Sequence, residues 1–196
     1  MRFILSATLA AALAVGSASP AASQVASQTK PERDAGDTVA KPVGAMSSHT
    51  VGAYSTSGFV ENAARGDMFE IRASQLAEER ASSSEIKKFA AQMVAAHTKT
   101  TAGLKAAMKE GGVTTPIPTG LDARRQGLLD NLRASNGAEF DKRYVAQQIA
   151  AHKEALALMK GYAAHGDNPA LRAAAAKTAP IVADHLHMAE ALPGAS

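Results

Sequence analysis

The stretch SEIKKFAAQMVAAHTKTTAGLKAAMKE, residues Ser84–Glu110, puts Ile86, Ala90, Met93, His97, Thr101, Leu104 and Met108 at alternating steps of three and four. That spacing lines one face of a helix, and lysines and glutamates fill the other. Ser82, with Glu85 three residues on, has the form of a capping box, and Gly111-Gly112 stops the run. The stripe is apolar except for Thr101 and a single histidine, His97. A chain whose longest regular segment reads this way is built from helices.

The flanking sequence keeps the same period. Before it, residues 57–81 form an alanine-rich helix. After it, VTTPIPTG (residues 113–120) is a loop, because two prolines within three residues bar a helix. A short helix over 121–134 follows, with Thr119 as its expected cap, and SNG (residues 135–137) breaks it. A long helix spans 138–165 and ends at Gly166. Asn168 caps the last one, Pro169 fits its first turn, and it runs to Leu192. The expectation is an all-α domain over residues 56–193: a four-helix bundle with a short extra helix in the crossover between the second and third long helices.

The phrase around His97 recurs. In the third long helix the stripe reads Val145, Ile149, His152, Leu156, Met159, Ala163; in the fourth it reads Leu171, Ala174, Thr178, Ile181, His185, Met188, Leu192. In the first, Phe59, Ala63, Gly66, Glu70, Ala73 and Ala77 follow the same steps, with Glu70 the polar intruder. Asp67 lies one turn before it, and the choice between these two carboxylates stays open. At about 1.5 Å per residue, Glu70, His97, His152 and His185 all lie roughly 20–24 Å along their helices. One carboxylate and three imidazoles therefore belong to one layer at mid-bundle.

Buried groups of this kind need partners. Two arrangements supply them. Glu70, His97, His152 and His185 can hold a single transition metal ion, with zinc, iron, manganese and copper all suited to imidazole and carboxylate. Alternatively they form a hydrogen-bonded network that only fixes helix register, in a structural or interaction module without catalysis. Met93, Met159 and Met188 share the stripes, but methionine at helical spacing is ordinarily core filler. Asp141, about 16 Å along the helix from His152, is too far to share its metal and reads as a helix-start residue. His165 and His187 read as solvated, and His49 lies in the leader with no functional role expected of it.

Met1-Arg2, the apolar run Phe3 to Val15 and the small residues up to Ser23 have the form of a cleaved secretory signal peptide over residues 1–23. Residues 24–55, rich in Ser, Thr, Ala, Pro and Gly, read as a flexible leader. The expected location is the periplasm, with secretion the variant of it. The apolar run is too short for a bilayer span, and no later segment is longer without charges. There is no cysteine, which removes disulfides, thiolate nucleophiles and thiolate metal ligands. A net charge of +3, mixed signs throughout and 4% aromatic residues give no nucleic-acid footprint. No nucleophile elbow or glycine-rich phosphate loop is present. Self-association and protein partners are left open.

FVENAARGDMFEIRASQLAEERASSSEIKKFAAQMVAAHTKTTAGLK (59–105), FDKRYVAQQIAAHKEAL (140–156) and KTAPIVADHLHMAEAL (177–192) together resemble the bacterial domain of unknown function family 4142. The resemblance covers about residues 57–192. It implies an exported, ferritin-like four-helix fold and brings no established activity. The outer-membrane label often given to members fits poorly, since no alternating strands for a barrel are present. Ferritin-like di-iron proteins carry Glu-x-x-His on two helices and a lone glutamate on each of two others. Glu70 matches a lone glutamate, and His97 and His185 match the two motif histidines. Their partners three residues earlier are Val94 and Val182, and His152 stands in place of the second lone glutamate. The bridging carboxylates are missing, so the resemblance carries over at most a mononuclear or altered site. Envelope stress tolerance, with redox or peroxide chemistry if the metal turns over, is the function expected of such a site.

Overall fold

The computed structural model describes residues 54–195, so the expected signal peptide, most of the expected leader and His49 lie outside the described residues. Five helices follow in order: α1 (Thr56–Arg80), α2 (Ser84–Glu110), α3 (Ala123–Ala134), α4 (Gly137–His165) and α5 (Pro169–Glu190). No strand occurs among the described residues. Tyr54 and Ser55, placed in the leader by composition, belong to the folded unit. The Ser55 hydroxyl caps α1 by accepting from the Gly58 amide, and the Tyr54 ring packs on His165.

The ends of the helices fix the topology. At one end Thr56 donates to Asp167, and the Asn168 amide donates to the Gly111 carbonyl. The start of α1, the end of α2, the end of α4 and the start of α5 therefore meet there. At the other end Arg80 reaches the carbonyls of Arg133 and Ser135, and the Asp141 carboxylate accepts from the Ser82 and Ser83 amides. The directions are up, down, down and up for α1, α2, α4 and α5. The connection through α3 has to travel the length of the bundle to allow this. Around the bundle the order is α1, α2, α5, α4, with α3 laid against α1 and α4.

Several local expectations are corrected by geometry. The cap of α2 is Ser83 rather than Ser82: its hydroxyl accepts from the amides of Glu85 and Ile86. The Ser82 amide is taken by Asp141 from across the loop, which leaves its side chain with no capping role. Asp122, not Thr119, caps α3, accepting from the Arg125 amide. Gly166 ends α4 as expected but in an extended conformation, so its glycine is not there for a left-handed turn. A Cβ at that position would sit 2.5 Å from the Tyr162 ring.

The buried faces of α1 and α2 match their stripes: Phe59, Ala63, Ala73 and Ala77 on one, Ile86, Ala90, Met93, His97 and Leu104 on the other. Those of α4 and α5 do not. On α5 the buried residues are Leu171, Ala175, Ala179, Val182 and Ala189, whereas Ile181 and Met188 are 45% and 37% exposed. Alanine lets α5 lie close to α4, so the contact face is the small-residue face and not the large-residue one. On α4 the fully buried residues include Tyr144, Gln148 and Tyr162. Their polar ends hide the periodicity, although the Tyr144 hydroxyl is satisfied by Ser74 at 2.9 Å and the Tyr162 hydroxyl donates to Asp167 at 2.9 Å.

The core falls into two apolar clusters. One holds Phe69, Ile86, Phe89, Met93, Leu129, Phe140 and Tyr144; the other holds Phe59, Val60, Leu104, Met108, Leu158, Tyr162 and Leu171. Large side chains buried in this way stabilise by about 1.5–3 kcal/mol each. Between the two clusters along α2, α4 and α5 stand His97, His152 and His185, and on α1 Glu70 lies at the edge of the first cluster, next to Phe69.

Candidate metal centre

His97 on α2, His152 on α4 and His185 on α5 converge in the gap between the clusters. Their ring centroids are 5.6 Å (97–152), 5.8 Å (97–185) and 5.6 Å (152–185) apart. One nitrogen from each ring lies within 4.8 Å of the other two. Some point lies within about 2.8 Å of all three such atoms, against a zinc–imidazole bond of about 2.0–2.1 Å. Shifts of under about 1 Å per ring would close the set on an ion. The mid-bundle layer expected from helical depth is thus present for the histidines, although the stripe that led to His185 was out of register.

Each ring is oriented by its surroundings. His152 is 1% exposed, and its Nδ1 donates to the Gln148 carbonyl at 2.8 Å. A carbonyl can only accept, so in the neutral ring Nε2 keeps the lone pair. His97 Nδ1 faces Asp67 Oδ1 at 2.9 Å, which again leaves Nε2 inward. Asp67 is itself held by the hydroxyls of Thr100 and Thr101, each at 2.9 Å. Carboxylate and carbonyl partners on the far nitrogen are the supports that metal-ligating histidines ordinarily have. His97 Nε2, His152 Nε2 and His185 Nδ1 are buried and have no hydrogen-bond partner among the described residues.

The carboxylate question left open by sequence resolves into two roles. Asp67 is the partner of His97. Glu70 is 4% exposed, and both its oxygens are buried without a hydrogen bond. It lies outside the three-nitrogen set but lines the same cleft as His97 and His152. The Gln148 side chain, fully buried one turn before His152, is also without a hydrogen bond. Among the described residues no hydrogen bond joins Glu70 to His97, His152 or His185; its polar neighbour is the Gln148 side-chain amide. Sequence reasoning passed over Gln148; its signal was a polar residue one turn from a core histidine.

The electrostatics follow from burial. Desolvation raises the Glu70 carboxyl from 4.5 to about 7, against a smaller opposing pull from the His97 charge. Desolvation and the His97 charge push His152 down to about 3, so it is neutral at any ordinary pH. For His97 burial also works downward, but the Asp67 hydrogen bond together with the Glu70 and Asp67 charges outweighs it, and the net shift is upward. His185, half-buried, is lowered by burial and by His97. His152 and His185 are thus shifted toward the neutral form that presents a lone pair, and His97 is shifted the other way by its carboxylate neighbours.

The remaining sequence candidates fall elsewhere. Met93 and Met159 pack into the core, Met188 is exposed, and none of the three belongs to the three-nitrogen set. Asp141 is the loop cap described above. His165 and His187 are exposed. A cleft of about 330 Å³ between α1, α3 and α4 reaches the layer from one side, with Arg124, Arg125 and Glu154 among its lining. On the other side His185 lines an open groove between α2 and α5.

A family model described as Domain of unknown function (DUF4142) matches residues 41–192. No curated protein and no solved structure matches the chain.

Proposed function

The chain belongs to the DUF4142 family, and we propose that it is an exported, ferritin-like metal-binding bundle holding one divalent transition ion on His97, His152 and His185. The observation that carries the reading is the set of three histidines that offer ring nitrogens within 4.8 Å of one another, each with one buried nitrogen that has no hydrogen-bond partner among the described residues. Leaving a buried polar atom unpaired costs about 1–3 kcal/mol. Three at one point amount to a substantial penalty that a cation would remove.

Ligand chemistry narrows the ion. Three imidazoles without thiolate suit zinc, iron, manganese or copper, and among divalent ions imidazole favours copper and zinc. Glu70 would be a fourth ligand or the acceptor for a bound water. Valines at 94 and 182 leave no bridging carboxylates, so the centre is mononuclear. The long connection through α3 is the feature of ferritin-like bundles that supports that part of the reading. Residues 1–23 support export to the periplasm, where tolerance of envelope stress is the role we propose.

Metal analysis of protein purified without chelator tests the proposal. One ion per chain is expected, lost in His97→Ala and His152→Ala. Metal-free protein whose thermal midpoint does not move on adding zinc, copper, iron or manganese would overturn it, and would return the layer to a purely structural role.

A further inference from the structure

Charge around the cleft between α1, α3 and α4 is closely balanced. At its rim Arg124 and Arg125 both bind the Glu154 carboxylate, at 2.6 and 2.9 Å, and Arg125 also pairs with Asp122. Lys153 pairs with Glu190 at 3.2 Å. Beside the histidines, Asp67 and Glu70 are in ion-pair contact with no lysine or arginine among the described residues, and Arg125 acts on Glu70 only from a distance. A divalent ion on three neutral imidazoles would meet these two carboxylates and bring the centre to neutrality. An additional anion or cation buried there would be uncompensated, which is expensive in a low-dielectric site.

The shape agrees. The space is about 330 Å³, at the low end of small-molecule sites, and its walls are largely apolar: Gly66, Phe69, Leu128, Ala150 and Leu158. Its polar floor includes His97, His152 and Glu70, with Asp67 and Thr100 beside them. With Glu70 standing as an acceptor beside the ion and not as a ligand, three protein nitrogens leave a tetrahedral ion one open position.

Resting on the metal reading above, we propose that this cleft binds a small uncharged molecule. It would have an apolar body of a few carbon atoms and one nitrogen or oxygen lone pair directed at the metal's open position. The Arg124–Glu154–Arg125 bridge forms the rim and takes no part in recognising charge.

The test uses the mature chain loaded with cobalt(II) at pH 8, whose visible spectrum reports the coordination shell. Pyridine is the neutral probe, and benzoate is the anion of similar size. Pyridine should change the spectrum saturably, with benzoate at least about tenfold weaker. Ala150→Leu, at an exposed position on the cleft wall, should weaken pyridine about tenfold or more while still taking up one cobalt; Ala146→Leu is the companion variant. No cobalt uptake at all defeats the metal reading itself. Stoichiometric cobalt with no pyridine response defeats only the ligand site. Benzoate binding as tightly as pyridine defeats the charge argument, and a pyridine response unaffected by both wall variants defeats the route.

Discussion

Replacing Glu70 by Gln in metal-free protein should make the bundle more stable at pH 8, although it removes a buried side-chain charge in a helix core. The carboxyl is raised from 4.5 to about 7 chiefly by desolvation. In the unfolded chain it ionises near pH 4.5; in the fold it stays protonated until about pH 7. Between these values the folded state binds more protons than the unfolded one, so stability falls as pH rises, and the full penalty persists above pH 7. A shift of roughly 2.5 units corresponds to about 3 kcal/mol. Glutamine is nearly isosteric and cannot ionise, so it escapes that penalty. Urea unfolding in the presence of chelator should show the two proteins nearly equal at pH 4.5. At pH 8 Glu70→Gln should be ahead by up to about 3 kcal/mol. Saturating zinc should reverse the order, because a cation beside the carboxylate favours its charged form. A variant that loses stability equally at both pH values, with chelator present, would refute the reasoning. It would mean that Glu70 has a partner in the fold.

Acid sensitivity should come from His152. Its folded value of about 3 lies below the unfolded 6.5, so it contributes stability that is present above pH 6.5 and lost as pH falls toward 3. That is worth about 5 kcal/mol at most, and His152→Gln should flatten this limb in pH-dependent unfolding curves. Asp67→Asn keeps the shape but weakens the support of His97, and should reduce metal affinity about 10–100-fold by competition titration. Asp141→Ala leaves the Ser82 and Ser83 amides without their acceptor, and should cost about 1–2 kcal/mol in urea unfolding with metal binding unchanged. Gly166→Ala drives a methyl into the Tyr162 ring and should lower stability by about 1–3 kcal/mol, whereas a neutral result would mean that the ring moves aside freely.

What could be read from the residues depended on contrast along each helix. On α2 the lysines and glutamates stand opposite Ile86, Met93 and Leu104, so the buried face and His97 follow from period alone. On α5 the alanines are spread around the whole circumference. The larger Ile181 and Met188 then drew the stripe toward the open groove, away from the face on which Val182 and Ala189 pack. His185 nevertheless reached the centre, because depth along the helix is counted in residues and is insensitive to a rotation of one position. Only a half-buried His185 remains compatible with both facts: it meets the other rings from the edge of its helix's buried face, and its other side borders solvent. The support of His97 by Asp67 was a matter of rotamer and of two consecutive threonines one turn after His97 on α2, which no periodicity encodes. The direction of α4 was equally hidden, since a 12-residue helix in a crossover fits either topology until contacts such as Asp141 with Ser82 are known. His97 and His152 keep their level in either topology because each sits near the middle of its helix, whereas His185, toward the end of α5, reaches the layer only with the direction that α5 takes. Moving His152 by one turn along α4 would displace it by about 5.4 Å and break the set, whichever way the chain was threaded.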